Sequence, residues 1–369
     1  MPLRHIELVR AHIELVAPFR TSFGVETDRD LLYVHLLGSD HEGWGECVAM
    51  SAPLYSSEYV DGCQEVIRRY LLSLISANST AESFVAAAAP IRGHFMAKAA
   101  LEAALLDYQL RVAKQSLASY LGATQSRIAS GVSVGIQSSI EELIAVVGRY
   151  LAQGYVRIKL KIEPGNDIEL VRAVRRTFGP EILLQVDANA AYTVADAKHL
   201  AKLDEFGLLL IEQPLPEEDL AGHVELARRI STPICLDESI TSCEAARGAL
   251  DLGACSIINI KPGRVGGYLE ARKIHDLCLS RGVPVWCGGM LESGIGRAAN
   301  LALAALPGFT LPGDISASDR YFAQDVTNAF VLNDGYIEVP TGDGIGVTPI
   351  PEVLNEMTLG HEGFDIAQN

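Results

Sequence analysis

The stretch Val156-Arg157-Ile158-Lys159-Leu160-Lys161-Ile162 decides the fold. Side chains of a strand alternate between its faces, so Val156, Ile158, Leu160 and Ile162 share one face and Arg157, Lys159 and Lys161 the other. Alone, three cations in that pattern describe a solvent-exposed face. The surrounding chain argues otherwise, because this is one of eight short β-branched runs, at 131–136, 156–162, 182–187, 208–212, 234–237, 256–261, 283–287 and 309–311. Amphipathic stretches lie between them, with capping-box pairs at Ser139/Glu142 and Thr241/Glu244. Gly154, Gly179, Gly207, Gly253 and Gly282 fall where helices should end. Alternating strand and helix implies right-handed βαβ units and a parallel sheet. Eight strands with seven helices close into a TIM-type barrel, (β/α)7β. A doubly wound open sheet is the rival, but no Gly-x-Gly-x-x-Gly turn follows the first strand. In a barrel the apolar face lies under the helices, so the three cations point inward, where they need carboxylate partners or a task.

Around this α/β barrel the chain divides into three parts: an α+β segment at 1–125, the barrel at 126–324 and a tail at 325–369. Ile6-Glu7-Leu8 and Ile13-Glu14-Leu15 alternate as a strand does. Residues 31–37 and 44–47 flank a turn at 39–43, and the Ala-rich run 96–112 reads as a helix. The repeat of His-Ile-Glu-Leu-Val at 5–9 and 12–16 is too short for a solenoid. In the tail, 330–332 and 336–339 around Asn333-Asp334-Gly335 form a hairpin signal expected to pack on the N-terminal segment.

The 369 residues carry 30 Lys+Arg against 46 Asp+Glu, a net charge of −16 that disfavours binding to nucleic acid or anionic lipid. With 49% hydrophobic and 21% charged residues the chain supports a large core rather than disorder. No apolar run suggests a membrane span, and Arg4, Glu7, Arg10 and Glu14 interrupt any signal-peptide core. Seven scattered cysteines, an odd number without a Cys-x-x-Cys pair, fit a reduced, cytoplasmic protein.

Barrel active sites lie at the C-terminal strand ends. Five predicted strands end in Lys161, Asp187, Glu212, Asp237 and Lys261, at intervals of 26, 25, 25 and 24 residues, one βα unit each. A lone strand-end Asp more often caps the next helix, and Glu212 before Gln213-Pro214 could be a turn residue. Together, three carboxylates from adjacent strands make an all-oxygen site suited to Mg²⁺, with Mn²⁺ or another divalent cation as substitute. Zn²⁺ would call for His or Cys. Strands two and six are four apart among eight, so Lys161 and Lys261 should face each other across the mouth, with a substrate α-carbon between them. A cation plus lysine suits proton abstraction next to a carboxylate. Lys159 and Arg264 are expected to lower the base from ~10.4 toward about 7–8. The glycine-rich loop 288–297 could be an ordinary turn, but in this context is expected to line the pocket.

These residues resemble the enolase superfamily over essentially the whole chain, an α+β capping domain followed by the barrel. Members of that superfamily pair a Lys or His base with Mg²⁺. Lys159-Leu160-Lys161 and Lys261 look like the muconate-lactonising-enzyme subgroup; Gly288-Gly289 stands where the mandelate-racemase subgroup would carry a His. Asp314-Ile315-Ser316 lacks the second Asp of dipeptide epimerases. Phe19-Arg20-Thr21-Ser22-Phe23-Gly24, the segment 43–59, the loop 288–297 and Pro312-Gly313-Asp314 look like the o-succinylbenzoate synthase/N-succinylamino acid racemase family. The resemblance implies that Asp187, Glu212 and Asp237 bind Mg²⁺, that Lys161 and Lys261 are the acid/base pair, and that Lys159 supports Lys161. It puts Ser133, Asn189, Met290 and Ser293 near substrate; Arg264, three residues after Lys261, is expected beside the pocket from its place in the chain. The loops around Phe19 and Phe23 and from Met50 to Tyr55 would close over the mouth. It implies dehydration to o-succinylbenzoate in menaquinone biosynthesis, N-succinylamino acid racemisation, or both, in a homo-oligomer, dimer or octamer, acting on a small carboxylate. The rivals are a muconate cycloisomerase or dipeptide epimerase, or a non-catalytic barrel, which would be expected to have a disabled site.

Overall fold

The computed structural model describes residues 2–366. Strands β1 (His5–Arg20), β2 (Val25–Leu37) and β3 (Glu42–Cys47) run antiparallel in sequence order. Against β3 lies the helix Phe95–Ala113, whose alanines allow close approach. A Cβ on Gly45 would sit 2.1 Å from the Ala100 carbonyl oxygen, so glycine is required there. β4 (Arg127–Ala129) leads into a parallel sheet of β5 (Gly131–Val134), β6 (Arg157–Lys161), β7 (Leu183–Asp187), β8 (Ile211–Glu212), β9 (Ile234–Leu236), β10 (Ile257–Ile260) and β11 (Val285–Cys287), neighbours in sequence order.

The eighth run, 309–311, is not a regular strand. It closes the ring through isolated contacts: Phe309 bridges Val285, Ser130 bridges Gly313, and the Gly131 N–H donates to the Gly313 carbonyl at 2.8 Å. Pro312 has no N–H to give a ladder, and its carbonyl accepts from Arg157 Nη2 at 2.9 Å. Inside the ring, Leu210, Cys235, Ile257 and Trp286 form a small apolar core of their own, separate from the main one under the helices.

The tail departs from expectation. Asn333 and Tyr336 exchange backbone hydrogen bonds around Asp334 (φ +49°) and Gly335 (φ +84°), so the turn forms. Yet 330–332 is not a strand, and β12 (Tyr336–Glu338) pairs with β4 beside the barrel rather than on the N-terminal segment. The return to that segment is made by β13 (Thr358–Asp365), antiparallel to β1 with His5 opposite Asp365, which completes the sheet β13-β1-β2-β3.

Helix ends differ in detail too. Ser139 accepts from the Glu142 N–H, but the Glu142 carboxylate turns to Ser138 instead of closing the box. Ser242, not Thr241, caps the helix Cys243–Leu252. The five helix-ending glycines all have positive φ. Among the described residues no helix is long and apolar enough to cross a membrane.

Candidate active site

Arg157, Lys159 and Lys161 on β6 are all buried and point into the ring. Trp286 lies beneath the lower two, its ring 5.3 Å from the Arg157 guanidinium carbon and 4.9 Å from Lys159 Nζ. Asp314, on the ring-closing segment, accepts from Arg157 at 2.6 Å and from Ser133 Oγ at 3.1 Å, and pairs with Lys159. Each charge therefore has a partner, without which burial would be costly.

One layer higher, Lys161 Nζ donates to Asp187 and to Asn189 Oδ1, both at 2.6 Å. Lys159 Nζ lies 3.1 Å from Asp187 and 2.9 Å from Glu212, whose other oxygen accepts from Asn259 at 2.7 Å. Asp237 takes Lys261 at 2.7 Å and Arg264, and the Tyr55 hydroxyl lies 3.1 Å from Lys261 Nζ. Asp187 and Glu212 are directly opposite on β7 and β8, and Gln213 Oε1 accepts from the Asp237 N–H, tying the next strand end to them. Several turns at the mouth carry non-glycine residues in the left-handed region: Asn189 (φ +42°), Ala190 (+61°), Gln213 (+35°) and Leu291 (+59°). Such strain needs support from the surroundings and clusters at functional sites.

Electrostatics follow from this packing. Burial alone would raise Asp187, but Lys161 and Lys159 outweigh it and hold the carboxyl well below its ordinary range. Glu212 is pushed up by burial and by the like charge of Asp187. Burial would lower Lys261, yet Tyr55, Glu212, Glu238 and Asp187 more than offset it and hold it above the ordinary lysine range. The lowering expected of Arg264 is therefore not met at Lys261, because acids outweigh cations around it.

A pocket of about 420 Å³, part of it open to solvent, lies above these side chains. Lys161, Asn189, Lys261 and Met290 line it from the barrel, and Phe19, Phe23, Met50 and Tyr55 from the N-terminal segment, as expected. Thr21, Gly289 and Leu291 also line it, from loops expected at the mouth, together with Glu26, which was missed. Three expected pocket residues do not line it. Ser133 lies one layer down, opposite Lys159, bound to Asp314. Arg264 is spent on Asp237 and on the carbonyls of Ile240 and Asn259. Ser293 gives its N–H (2.9 Å) and hydroxyl (2.6 Å) to Glu46. Sequence reasoning also missed Asn259, Glu238 and the role of Asp314. Asn259 could have been found, since it shares the inward parity of Lys261 on one strand.

Among the described residues no three His, Cys, Asp or Glu side chains are arranged so as to hold a metal ion as they lie here. Asp187, Glu212 and Asp237 are each engaged by lysine or arginine instead. The donor set nevertheless suits a hard cation. It offers three carboxylates on adjacent strand ends, and beside them Glu238 Oε2 and Asn259 Oδ1 are buried without partners. Burial raises Glu238 to about 7, as for an acid short of positive charge.

Residues 5–122 match the N-terminal domain of the mandelate racemase/muconate lactonizing enzyme family, and residues 142–353 match the enolase C-terminal domain-like family. The N-succinylamino acid racemase of Amycolatopsis sp is 60% identical over 360 residues, 97% of this chain and 98% of its own. The o-succinylbenzoate synthase of Geobacillus kaustophilus is 49% identical over 352 residues, 93% of this chain and 91% of its own. Among solved structures, an enolase-superfamily member from Listeria innocua superposes with a TM-score of 0.95 at 42% identity, over 99% of both chains.

Proposed function

The chain belongs to the enolase superfamily, and from that premise we propose that it removes the proton α to a substrate carboxylate, racemising N-succinylamino acids and dehydrating the precursor of o-succinylbenzoate. One observation carries the reading: Lys161 at the end of β6 and Lys261 directly after β10, four strands apart, line the same pocket. A carbon held between them presents one face to each amine.

In racemisation, Lys161 Nζ takes the α-proton from one face and the electron pair passes into the carboxylate as an ene-diolate. Lys261 Nζ then delivers a proton to the other face, inverting the centre. In dehydration the same abstraction is followed by loss of a β-hydroxyl. The protonated Lys161 gives its proton to that leaving group, and Lys261 serves as a cation. Lys159, anchored over Trp286 by Asp187, Glu212 and Asp314, holds the carboxylates in place. Asp187, Glu212 and Asp237 would hold a divalent cation, Mg²⁺ by the hardness of their oxygens. When bound, it supplies positive charge against the substrate carboxylate, which lowers the cost of the negative charge that builds there. Phe19, Phe23, Met50 and Tyr55 exclude water from the reacting carbon.

The test is incubation with N-succinylamino acids and Mg²⁺ in ²H₂O, following loss of the α-proton signal by NMR, beside a dehydration assay. Exchange with inversion is expected. The absence of both exchange and dehydration would reject the substrate assignment.

A further inference from the structure

The pocket is electrically lopsided. Its floor presents the two amines, Lys161 and Lys261. Its roof, largely apolar apart from the Thr21 and Tyr55 hydroxyls, carries one carboxylate, Glu26 on β2. Glu26 stands directly opposite Phe19 in the β1–β2 pairing, and both line the cavity, so the side chain shares the cavity-facing side of the hairpin. Among the described residues its carboxylate has no hydrogen bond and no ion pair. Arg29, whose charge acts on it from a distance, makes no ion pair with it and donates through Nη2 to the carbonyls of Val48 and Ala49. Thr21 is turned to the Gly24 carbonyl and Tyr55 to Asp237, so neither donates to Glu26. Burial raises Glu26 above the ordinary carboxylate range, as expected for a partly desolvated charge without a partner.

A half-buried acid facing a ligand cavity is satisfied by what the ligand brings. We propose that Glu26 sets the charge preference of the pocket: it favours substrates whose substituent is apolar along its length and ends in a cationic or hydrogen-bond-donating group, and disfavours those ending in a carboxylate. The substrate then lies along the field of the site, reacting carboxylate toward the barrel and donor end toward Glu26. The proposal rests on the racemase reading and adds to it which amino-acid side chains are taken.

The experiment compares kcat/KM for racemisation of N-succinyl-L-lysine, N-succinyl-L-norleucine and N-succinyl-L-glutamate, which share the acyl group and differ at the tip. The Mg²⁺-loaded protein should prefer lysine to norleucine by about ten- to hundredfold, the range for a hydrogen bond to a charged group, and glutamate should be poorest. Glu26→Gln should bring the lysine/norleucine ratio to within about threefold, and Glu26→Lys should raise glutamate above lysine. No lysine preference, or one that survives in both variants, overturns the proposal; thermal midpoints establish that the variants fold. If none of the three compounds turns over, it is the racemase reading that fails. Calorimetric titration of the same compounds into the Mg²⁺-loaded protein and into Glu26→Lys then decides Glu26, with unchanged relative affinities counting against it.

Discussion

Lys161 and Lys261 keep different company: Lys161 is shared by Asp187 and Asn189, Lys261 by Asp237 and the Tyr55 hydroxyl. If each serves one face of the substrate carbon, neither can replace the other. Lys161→Ala and Lys261→Ala should each cut racemisation by about 10²–10⁴-fold, the range for a positioned acid or base. Polarimetry checks this, and racemisation retained in either variant rejects a two-base scheme. Asp314 is a different case, since it touches no substrate-facing atom but neutralises buried Arg157 and Lys159. Asp314→Asn leaves buried Arg157 without its one acid and Lys159 with two of three, and should cost about 3–5 kcal/mol, read from the urea midpoint; a loss below about 1 kcal/mol would count against it. Burial alone would raise Asp314, but those cations hold it well below the ordinary carboxylate range. Its contribution is therefore complete above roughly pH 4, the unfolded value, and is lost as pH falls toward the folded one.

The capping domain also reaches into the barrel's helices. Gly267 precedes the helix Tyr268–Ser280 and has no side chain to cap it; Glu102, from the helix Phe95–Ala113, accepts from the N–H groups of Tyr268 (3.0 Å) and Leu269 (2.8 Å) instead. A Cβ on Gly267 would lie 2.5 Å from the Glu102 carboxyl carbon. Glu46 does the same for the helix Gly294–Ala304 through Ser293 and Gly296. Burial pushes both acids up to about 7. A carboxyl held above its unfolded value keeps its proton longer in the folded state, so its share of stability falls as pH rises from about 4.5 to about 7. Glu102→Gln should remove part of that slope, on the order of 1–3 kcal/mol between pH 5 and 7.5. Thermal melts across this range test it, and parallel curves for the two proteins would sink it. Such caps in trans were illegible in the sequence, because Glu102 and Tyr268 are far apart along the chain. The barrel strands were legible because their inward charges and outward aliphatics alternate. The eighth was overread, since Pro312 has no N–H to give a ladder and the segment meets its neighbours only through isolated bridges. β13 was missed because it carries no apolar alternation, Leu359 being 69% exposed, and is held at the sheet edge by backbone pairing. In the site, the five charges could be read from their phase with the strands. Neither resemblance nor place along the chain tells a wall from a strut: Ser133, Arg264 and Ser293 brace the site from behind, bound to Asp314, Asp237 and Glu46.

At the scale of the whole molecule, a chain of net charge −16 gathers three fully buried acids on one side of a ring and balances them with its own lysines and arginines. That arrangement keeps the fold stable, and it leaves the acids as a donor set for a cation that binds only the folded state. Such binding stabilises by about 2.7 kcal/mol when the free ion reaches a hundred times its dissociation constant. Millimolar Mg²⁺ should therefore raise the thermal midpoint by a few degrees, and EDTA should reverse the gain along with α-proton exchange. Diffuse screening of an acidic surface also stabilises, so the comparison must be made at matched ionic strength with a monovalent salt. It must also use increments rather than absolute midpoints, because Asp237→Asn leaves Lys261 and Arg264 without their acid and lowers the baseline for that reason alone. If the three carboxylates hold the ion together, the Mg²⁺ increment vanishes in Asp187→Asn, Glu212→Gln and Asp237→Asn alike and persists in Lys261→Ala. An increment of equal size in all four variants would locate the effect on the surface and remove the cation from the site.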